Sequence, residues 1–188
     1  MEEFIYEDER CAIFIDGPSL HRACQSLDIE IDYGLLRSIF ADAGYLVQAR
    51  YYTTIQNDQS YSPVRPLIDW LSYNGFVVVA KPVKADDDAD EPWQLIRGVG
   101  MELAVDVVEI SPRLDHVVLF TGNGDFLRLV KLMQRRMVRT TVIGTAQGLS
   151  SLTSDALRRQ ADMFVDLRSL VPFVKKERHQ APRVQGAS

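Results

Sequence analysis

Three aspartates in this chain occupy positions from which they could act together on one ligand: Asp16, Asp106 and Asp125. Asp16 directly follows a short apolar run, residues 12–15, and Asp125 comes soon after a second run, residues 117–120. The carboxyl ends of parallel strands meet at the edge where open α/β sheets bind ligands, so both carboxylates are expected at that edge. Carboxylate oxygens are the ligands that Mg²⁺ and Mn²⁺ prefer. The sequence therefore predicts an acidic site for one of these cations.

Asp106 reaches the same edge by another route, because it lies in a helical pattern. Glu102, Asp106 and Glu109 are spaced i, i+4 and i+7, which places them on one helix face. Apolar residues flank Asp106 on both sides, and a carboxylate in such surroundings needs a partner or a metal. Simpler interpretations stay open: Glu102 and Glu109 suit a solvated face, and Asp125 suits the first turn of a helix, where the helix dipole favours a negative charge.

Strand and helix patterns alternate along the chain and would position these residues. The predicted strands are 11–16, 46–53, 76–80, 116–121, 140–144 and 164–166. The predicted helices are 18–27, 33–43, 63–73, 100–110, 124–136 and 151–161. Strands separated by helices of this length form βαβ crossovers. We therefore expect an α/β fold of three α/β/α layers, with a central, mostly parallel sheet of five or six strands.

Composition narrows the class of protein. The chain has 188 residues, 46% of them hydrophobic, and no apolar run approaches the roughly 20 residues of a membrane span, so a cytoplasmic protein that does not insert into a membrane is expected. A formal net charge of −5 gives no global attraction to nucleic acid. Cys11 and Cys24 have neither metal-ligand nor disulfide-framework spacing, so both are expected to be reduced core residues. One domain over 11–167 is predicted, with an N-terminal extension at 1–10 and a tail at 168–188 that ends in disorder.

Four segments carry a resemblance to a known family, and they occur in that family's order. They are Phe14-Ile15-Asp16-Gly17-Pro18-Ser19-Leu20, Glu102-Leu103-Ala104-Val105-Asp106, Leu119-Phe120-Thr121-Gly122-Asn123-Gly124-Asp125-Phe126 and Leu157-Arg158-Arg159-Gln160-Ala161-Asp162. Together they resemble the NYN domain of the PIN-like nuclease superfamily, in its bacterial LabA-like branch. The resemblance implies a Rossmann-like fold and cleavage of RNA that depends on Mg²⁺ or Mn²⁺.

The resemblance also assigns roles to individual residues. It implies that Asp16, Asp106 and Asp125 are catalytic and hold the metal, with Asn123 as a further oxygen ligand. Ser19, Thr121 and Glu102 would support the site.

The chain departs from the family pattern at three positions. Ser19 stands where the family usually has Asn, Asn123 where it usually has Asp, and Gly100 in a segment that usually carries an additional Asp. Fewer carboxylates attract a divalent cation less strongly and remove a group that could activate water. Two functions therefore stay open: a metal-dependent ribonuclease, or a degenerate family member that binds RNA or a protein in a regulatory role.

A single-stranded RNA substrate would need basic and aromatic groups near the acidic site. The predicted substrate-binding residues are Arg22, Lys84 and Arg97. Further candidates are Arg50, Tyr51, Tyr52 and Lys81, although the two tyrosines equally suit a strand with one of them facing the core. The helix at 63–73 could also serve as a dimer face or contact a protein partner, and core packing explains its apolar residues as well.

Overall fold

The computed structural model describes residues 5–56, 64–83, 99–146 and 153–176. Its centre is a sheet of six strands, all paired in parallel, in the order β3-β2-β1-β4-β5-β6. The strands are β1 (Arg10–Asp16), β2 (Tyr45–Gln56), β3 (Phe76–Val83), β4 (His116–Phe120), β5 (Arg139–Gly144) and β6 (Met163–Asp166). The predicted α/β class and parallel sheet are confirmed.

Seven α-helices of the described chain flank this sheet. They are α1 (Gly17–Ser26), α2 (Tyr33–Ala43), α3 (Arg65–Tyr73), α4 (Gly100–Ile110), α5 (Leu127–Arg135), α6 (Asp155–Gln160) and α7 (Leu167–Val174). Short 3₁₀ turns at Ser111–Arg113 and Gly124–Phe126 precede β4 and α5. Aspartates begin several of the helices: Asp16, Asp32 and Asp166 each accept a backbone hydrogen bond as the N-cap of α1, α2 and α7.

The order of the strands reverses between β1 and β4. From β1 the chain adds β2 and β3 on one side, then returns and adds β4, β5 and β6 on the other. Connections that leave neighbouring strands in opposite directions open a crevice at the carboxyl ends of those strands, which is where such sheets bind ligands. Ile15 of β1 pairs with Phe120 of β4, so Asp16 and Thr121, the next residues, lie together at this crevice.

Hydrophobic clusters cover both faces of the sheet, as three layers require. Ile13 and Ile15 face a cluster that includes Phe40 of α2 and Leu170 of α7. Alternate residues of the same strands face the opposite cluster, where Phe14 packs with residues of α4 and α5. The central strands are apolar on both faces because both faces are covered.

Element boundaries differ from the predicted ones in several places; β2, for example, ends at Gln56 and not at residue 53, and β3 ends at Val83 and not at residue 80. The predicted helix 124–136 is a 3₁₀ turn followed by α5, because the side chain of Asn123 caps the turn by accepting from the N–H of Asp125. Helix α7 was not predicted, and it lies in the segment assigned to the tail. Its residues Leu167, Leu170 and Val174 are buried, so the packed structure extends past residue 167.

The two cysteines agree with the expectation that both are reduced. Cys11 and Cys24 are both free thiols, one buried in β1 and the other partly buried on α1. Burial raises the pKa of each thiol to about 11, so both are unreactive at neutral pH. Within the described residues, no helix has the length and apolar character needed to cross a membrane.

Candidate active site

Asp16 ends β1 at the crevice and is 2% exposed. Its Oδ2 accepts a 2.9 Å hydrogen bond from the hydroxyl of Thr121, and its Oδ1 accepts a 3.3 Å bond from the N–H of Ser19. Each carboxylate oxygen has a second lone pair, so both can still accept from or coordinate another group. The turn into α1 is tight here, because a Cβ on Gly17 would lie 2.6 Å from the carbonyl oxygen of Tyr52. Gly17 is therefore required for Asp16 to sit at this point.

The charge of Asp16 is poorly compensated. Burial raises the pKa of its carboxyl, and this effect outweighs the hydrogen bonds from Thr121 and Ser19 and the positive charge of Arg22, all of which lower it. In the described part of the chain no lysine or arginine forms an ion pair with Asp16. A buried carboxylate with only neutral hydrogen-bond donors favours a cation as its next neighbour.

The turn after β4 is tied to the end of β1 by a short chain of hydrogen bonds. The N–H of Gly122 donates to the hydroxyl of Ser19 at 2.8 Å, and the N–H of Asn123 donates to Thr121 Oγ1 at 3.1 Å. Ser19, which replaces the Asn of the family pattern, thus holds this turn in place. Asn123 is connected to Asp16 through two hydrogen bonds, whereas Asp125 lies within the 3₁₀ turn Gly124–Phe126 and is exposed to solvent.

Asp106 has a different environment, because it already has a cation. Its Oδ2 accepts from the guanidinium of Arg50 on β2, and also from the hydroxyl of Tyr52 at 2.8 Å. The Nε of Arg50 donates to the side chain of Gln48 at 2.8 Å, which fixes the orientation of the guanidinium. Asp106 therefore faces β2, and its negative charge is neutralised within the protein.

Glu102, one turn earlier on α4, is paired in a similar way. Its Oε1 lies 2.7 Å from the ammonium of Lys81 on β3. Burial opposes ionisation of Glu102, but the hydrogen bond from Lys81 lowers the pKa of its carboxyl below the ordinary value. The acidic face of α4 is therefore matched by two cations on β2 and β3, and these cations are not free to meet RNA in this arrangement.

These contacts divide the predicted site residues into two groups. Asp16, Ser19, Thr121 and Asn123 are joined by hydrogen bonds at the β1–β4 crevice, Asp125 lines the adjoining groove that it shares with Asn123, and Asp106 and Glu102 lie against β2 and β3. Among the residues that the structure describes, no three His, Cys, Asp or Glu side chains are arranged to hold a metal ion. Mg²⁺ nevertheless usually keeps several waters and needs only one or two carboxylates together with substrate phosphates. Asp16, which forms no ion pair within the described residues, and Asp125, which is exposed, each have a carboxylate available to such a cation, and the paired Asp106 does not.

Of the three predicted substrate-binding residues, only Arg22 lies in the part of the chain that the structure describes. Arg22 on α1 is close enough to Asp16 to lower its pKa, and its Nε is buried without a hydrogen-bond partner among the described residues. Lys84 and Arg97 lie outside the described residues. Tyr51 and Tyr52 are 3% and 0% exposed and face opposite sides of the sheet, so neither can stack on a base.

One residue near the crevice, Arg128, was not assigned from the sequence. Gly100 and Arg128 line one groove together with Asn123 and Asp125. Arg128 follows Asp125 by three residues, and this i, i+3 spacing on a helix was the available signal. The groove brings the start of α4, where the family pattern has an additional Asp, beside the turn after β4.

Comparison with known proteins identifies the family. The family model of the NYN domain matches residues 10–168 of this chain. The chain belongs to the NYN domain family. NYN domains are generally nucleases and typically use divalent metals, and their PIN-like fold agrees with the six-stranded parallel sheet.

Individual relatives support the LabA-like assignment. The chain is 26% identical over 181 residues to "Low amplitude and bright protein LabA" of Synechococcus elongatus, covering 95% of each protein. It is 26% identical over 162 residues to "Uncharacterized protein MJ0482" of Methanocaldococcus jannaschii, covering 85% of this chain and 56% of that protein. The crystal structure of a protein of unknown function, VPA0982 from Vibrio parahaemolyticus, matches with a TM-score of 0.70 and 27% identity, over 89% of this chain and 97% of that one.

Proposed function

We propose that this NYN domain is a metal-dependent ribonuclease whose site is the β1–β4 crevice. Asp16 and Asp125 would bind Mg²⁺ or Mn²⁺, with the side-chain oxygen of Asn123 as a neutral ligand. The observation that carries the proposal is the position of Asp16: a buried carboxylate at the strand-order reversal, hydrogen-bonded only to neutral groups. Such a carboxylate costs stability in the absence of a cation, and binding a cation would remove that cost.

The surrounding residues would each have a defined part in this reaction. When bound, the cation would offset charge that builds on a phosphoryl group and lower the pKa of a water molecule. Thr121 and Ser19 would hold the Asp16 carboxylate in one orientation. Arg22 would bind a phosphate oxygen of the RNA, since its side chain is partly exposed and its positive charge acts on Asp16. Asp106 would contribute structurally through its pairing with Arg50.

A second candidate function is RNA binding without cleavage, and two observations favour it. The Asp106 carboxylate is neutralised by Arg50, and Asn123 brings an oxygen without negative charge. With fewer charged ligands, a divalent cation is bound less tightly. The cation then occupies a smaller fraction of the sites, and RNA cleavage is slower.

An assay on a labelled single-stranded RNA in the presence of Mn²⁺ separates the two functions. The parent protein is expected to cleave, and Asp16→Asn and Asp125→Asn are each expected to reduce the rate at least about tenfold, as loss of a metal-site residue does. Asp42→Asn, a matched change of an exposed aspartate on α2, should leave the rate unchanged. Binding without cleavage by the parent would support the second function, and cleavage unaffected by Asp16→Asn would overturn the first.

A further inference from the structure

One exposed face of α5 has three positive charges in a row. Arg128, Lys131 and Arg135 are all exposed, and their i, i+3 and i+7 spacing places them on the same side of the helix. The opposite side of α5 is buried in the core through Leu129, Val130 and Met133. The first and last of the three cations are seven residues apart, which is about 10 Å along the helix axis.

These three side chains have no ion-pair partners within the described residues, unlike several other arginines. Arg139 pairs with Glu9, and Arg158 and Arg159 both pair with Asp155. The stripe, defined here as Arg128, Lys131 and Arg135, is therefore an uncompensated positive strip on a chain whose net charge is −5. It is suited to a partner with regularly spaced negative charges.

The stripe begins at the proposed catalytic crevice. Arg128 lines a groove of about 480 Å³ between α4 and α5, and Asn123 and Asp125 lie at the same groove. Uncharged side chains form the rest of its wall, among them Met101 and Ala104 of α4. Lys131 and Arg135 do not line the groove but continue from Arg128 along the same face of α5.

We propose that single-stranded RNA runs along α5, with its phosphates on Arg128, Lys131 and Arg135 and one base in the groove between α4 and α5. This inference rests on the proposed function, because it supplies the path by which an RNA strand reaches Asp125. The negatively charged phosphates bind the positive side chains of the stripe. The uncharged wall takes the flat face of an unstacked base, which a single strand offers and a duplex does not.

The test is RNA binding measured by fluorescence anisotropy in EDTA, so that no cleavage occurs. The double variant Lys131→Gln/Arg135→Gln removes two phosphate contacts without touching the crevice. Its dissociation constant is expected to rise about tenfold at moderate salt, and the salt-dependence slope should fall by about 0.7 for each lost contact. The matched control is Lys175→Gln/Lys176→Gln, which removes two exposed charges that follow α7, a helix on the other face of the sheet from α5, and should stay within about twofold of the parent.

The outcomes separate this inference from the proposed function. Parent-like affinity of the α5 variant, or an equal loss in both double variants, overturns the RNA path even if the parent cleaves RNA. Loss of affinity confined to the α5 variant supports the path even if the parent does not cleave. Absence of RNA binding by the parent at low salt overturns the path, and would leave the stripe as a surface for an acidic protein.

Discussion

The hydroxyl of Thr121 donates a 2.9 Å hydrogen bond to the carboxylate of Asp16, and this contact joins the carboxyl ends of β1 and β4. It stabilises one orientation of Asp16 but supplies no positive charge. Asp106 lies on α4, and its carboxylate is paired with Arg50 of β2. Two aspartates that are both flanked by apolar residues therefore differ in whether a positive charge already neutralises them, which is the property that matters for binding a cation.

Asp16→Asn is expected to stabilise the metal-free protein at neutral pH. The folded-state pKa of Asp16 lies above its unfolded value of 3.8, so ionisation costs stability as the pH rises from 3.8 through the folded-state pKa. Asn can still accept from the N–H of Ser19 as an N-cap but has no charge to bury. A gain of about 1 kcal/mol would raise the melting midpoint by about 2–4 °C in a chain of this size. The difference should vanish at a pH below 3.8, where the parent carboxyl is protonated.

Asp16→Asn also tests whether a cation binds at Asp16. Mn²⁺ should raise the melting midpoint of the parent, because a ligand that binds only the folded state stabilises it, and should not raise that of Asp16→Asn. Asp32→Asn is the matched control, since Asp32 also caps a helix by accepting from a backbone N–H, that of Leu35 at 3.0 Å. If Asp32→Asn stabilised the metal-free protein as much as Asp16→Asn, the gain would come from replacing a capping aspartate and not from removing a buried charge.

Arg50 and Asp106 are expected to be energetically coupled. Both side chains are largely buried, 17% and 22% exposed, so removing either one leaves a poorly solvated charge. Arg50→Met and Asp106→Asn should each reduce the free energy of unfolding by about 1–3 kcal/mol, and the double variant should lose less than the sum. Urea unfolding of the four proteins measures the coupling, and strictly additive losses would contradict it.

His116 is expected to make the protein sensitive to acid. Its ring is fully buried, with Nε2 at 2.8 Å from Thr141 Oγ1, and burial together with the charge of Arg139 lowers its pKa to about 3. Glu9 lies 3.5 Å from Nδ1 but is already paired with Arg139, so it does not keep the ring charged.

Because the folded-state pKa of His116 is below the unfolded value of 6.5, its contribution to stability is present above pH 6.5 and lost as the pH falls towards 3. The free energy of unfolding should fall by up to about 1.4 kcal/mol per pH unit from this residue. Denaturant titrations across this range measure the slope, and the slope should be smaller in His116→Gln. Ring resonances of His116 that titrate near pH 6.5 in the folded protein would disprove the assignment.

Local sequence pattern predicted the part of the site that depends on strand ends. The position of Asp16 followed from an apolar strand and a glycine turn, both of which are local features. The pairing of Asp106 did not follow, because its partner Arg50 is 56 residues earlier and on another strand. Only the packing of α4 against β2 brings the two together, and no sequence spacing encodes that packing.

Helix α7 shows the same limit for the fold. It contains Pro172, which removes a backbone donor and usually indicates a helix end. Three buried residues, Leu167, Leu170 and Val174, hold it against the core despite the proline. Burial of an apolar face thus outweighs a local signal against helix, as tertiary contacts commonly do.

Adding carboxylates at the crevice should increase metal-dependent activity. Gly100 and Asn123 line the groove beside Asp125, and among the described residues a Cβ at Gly100 would meet only Phe126, at an ordinary 3.7 Å. Gly100 begins α4, where an aspartate is favoured by the helix dipole and costs less conformational entropy than glycine. Asn123→Asp keeps the oxygen that caps the N–H of Asp125.

The double variant Gly100→Asp/Asn123→Asp is therefore expected to fold normally and to bind Mn²⁺ more tightly, with an RNA cleavage rate at least about tenfold above the parent. The readouts are the Mn²⁺-dependent shift in melting midpoint and the initial cleavage rate at fixed Mn²⁺. Ser38→Asp/Gln25→Glu, which adds two charges on α2 and α1 away from the crevice, controls for net charge. Tighter Mn²⁺ binding without cleavage would show that charge at these positions rebuilds a cation site but not a nuclease, and would favour the RNA-binding function.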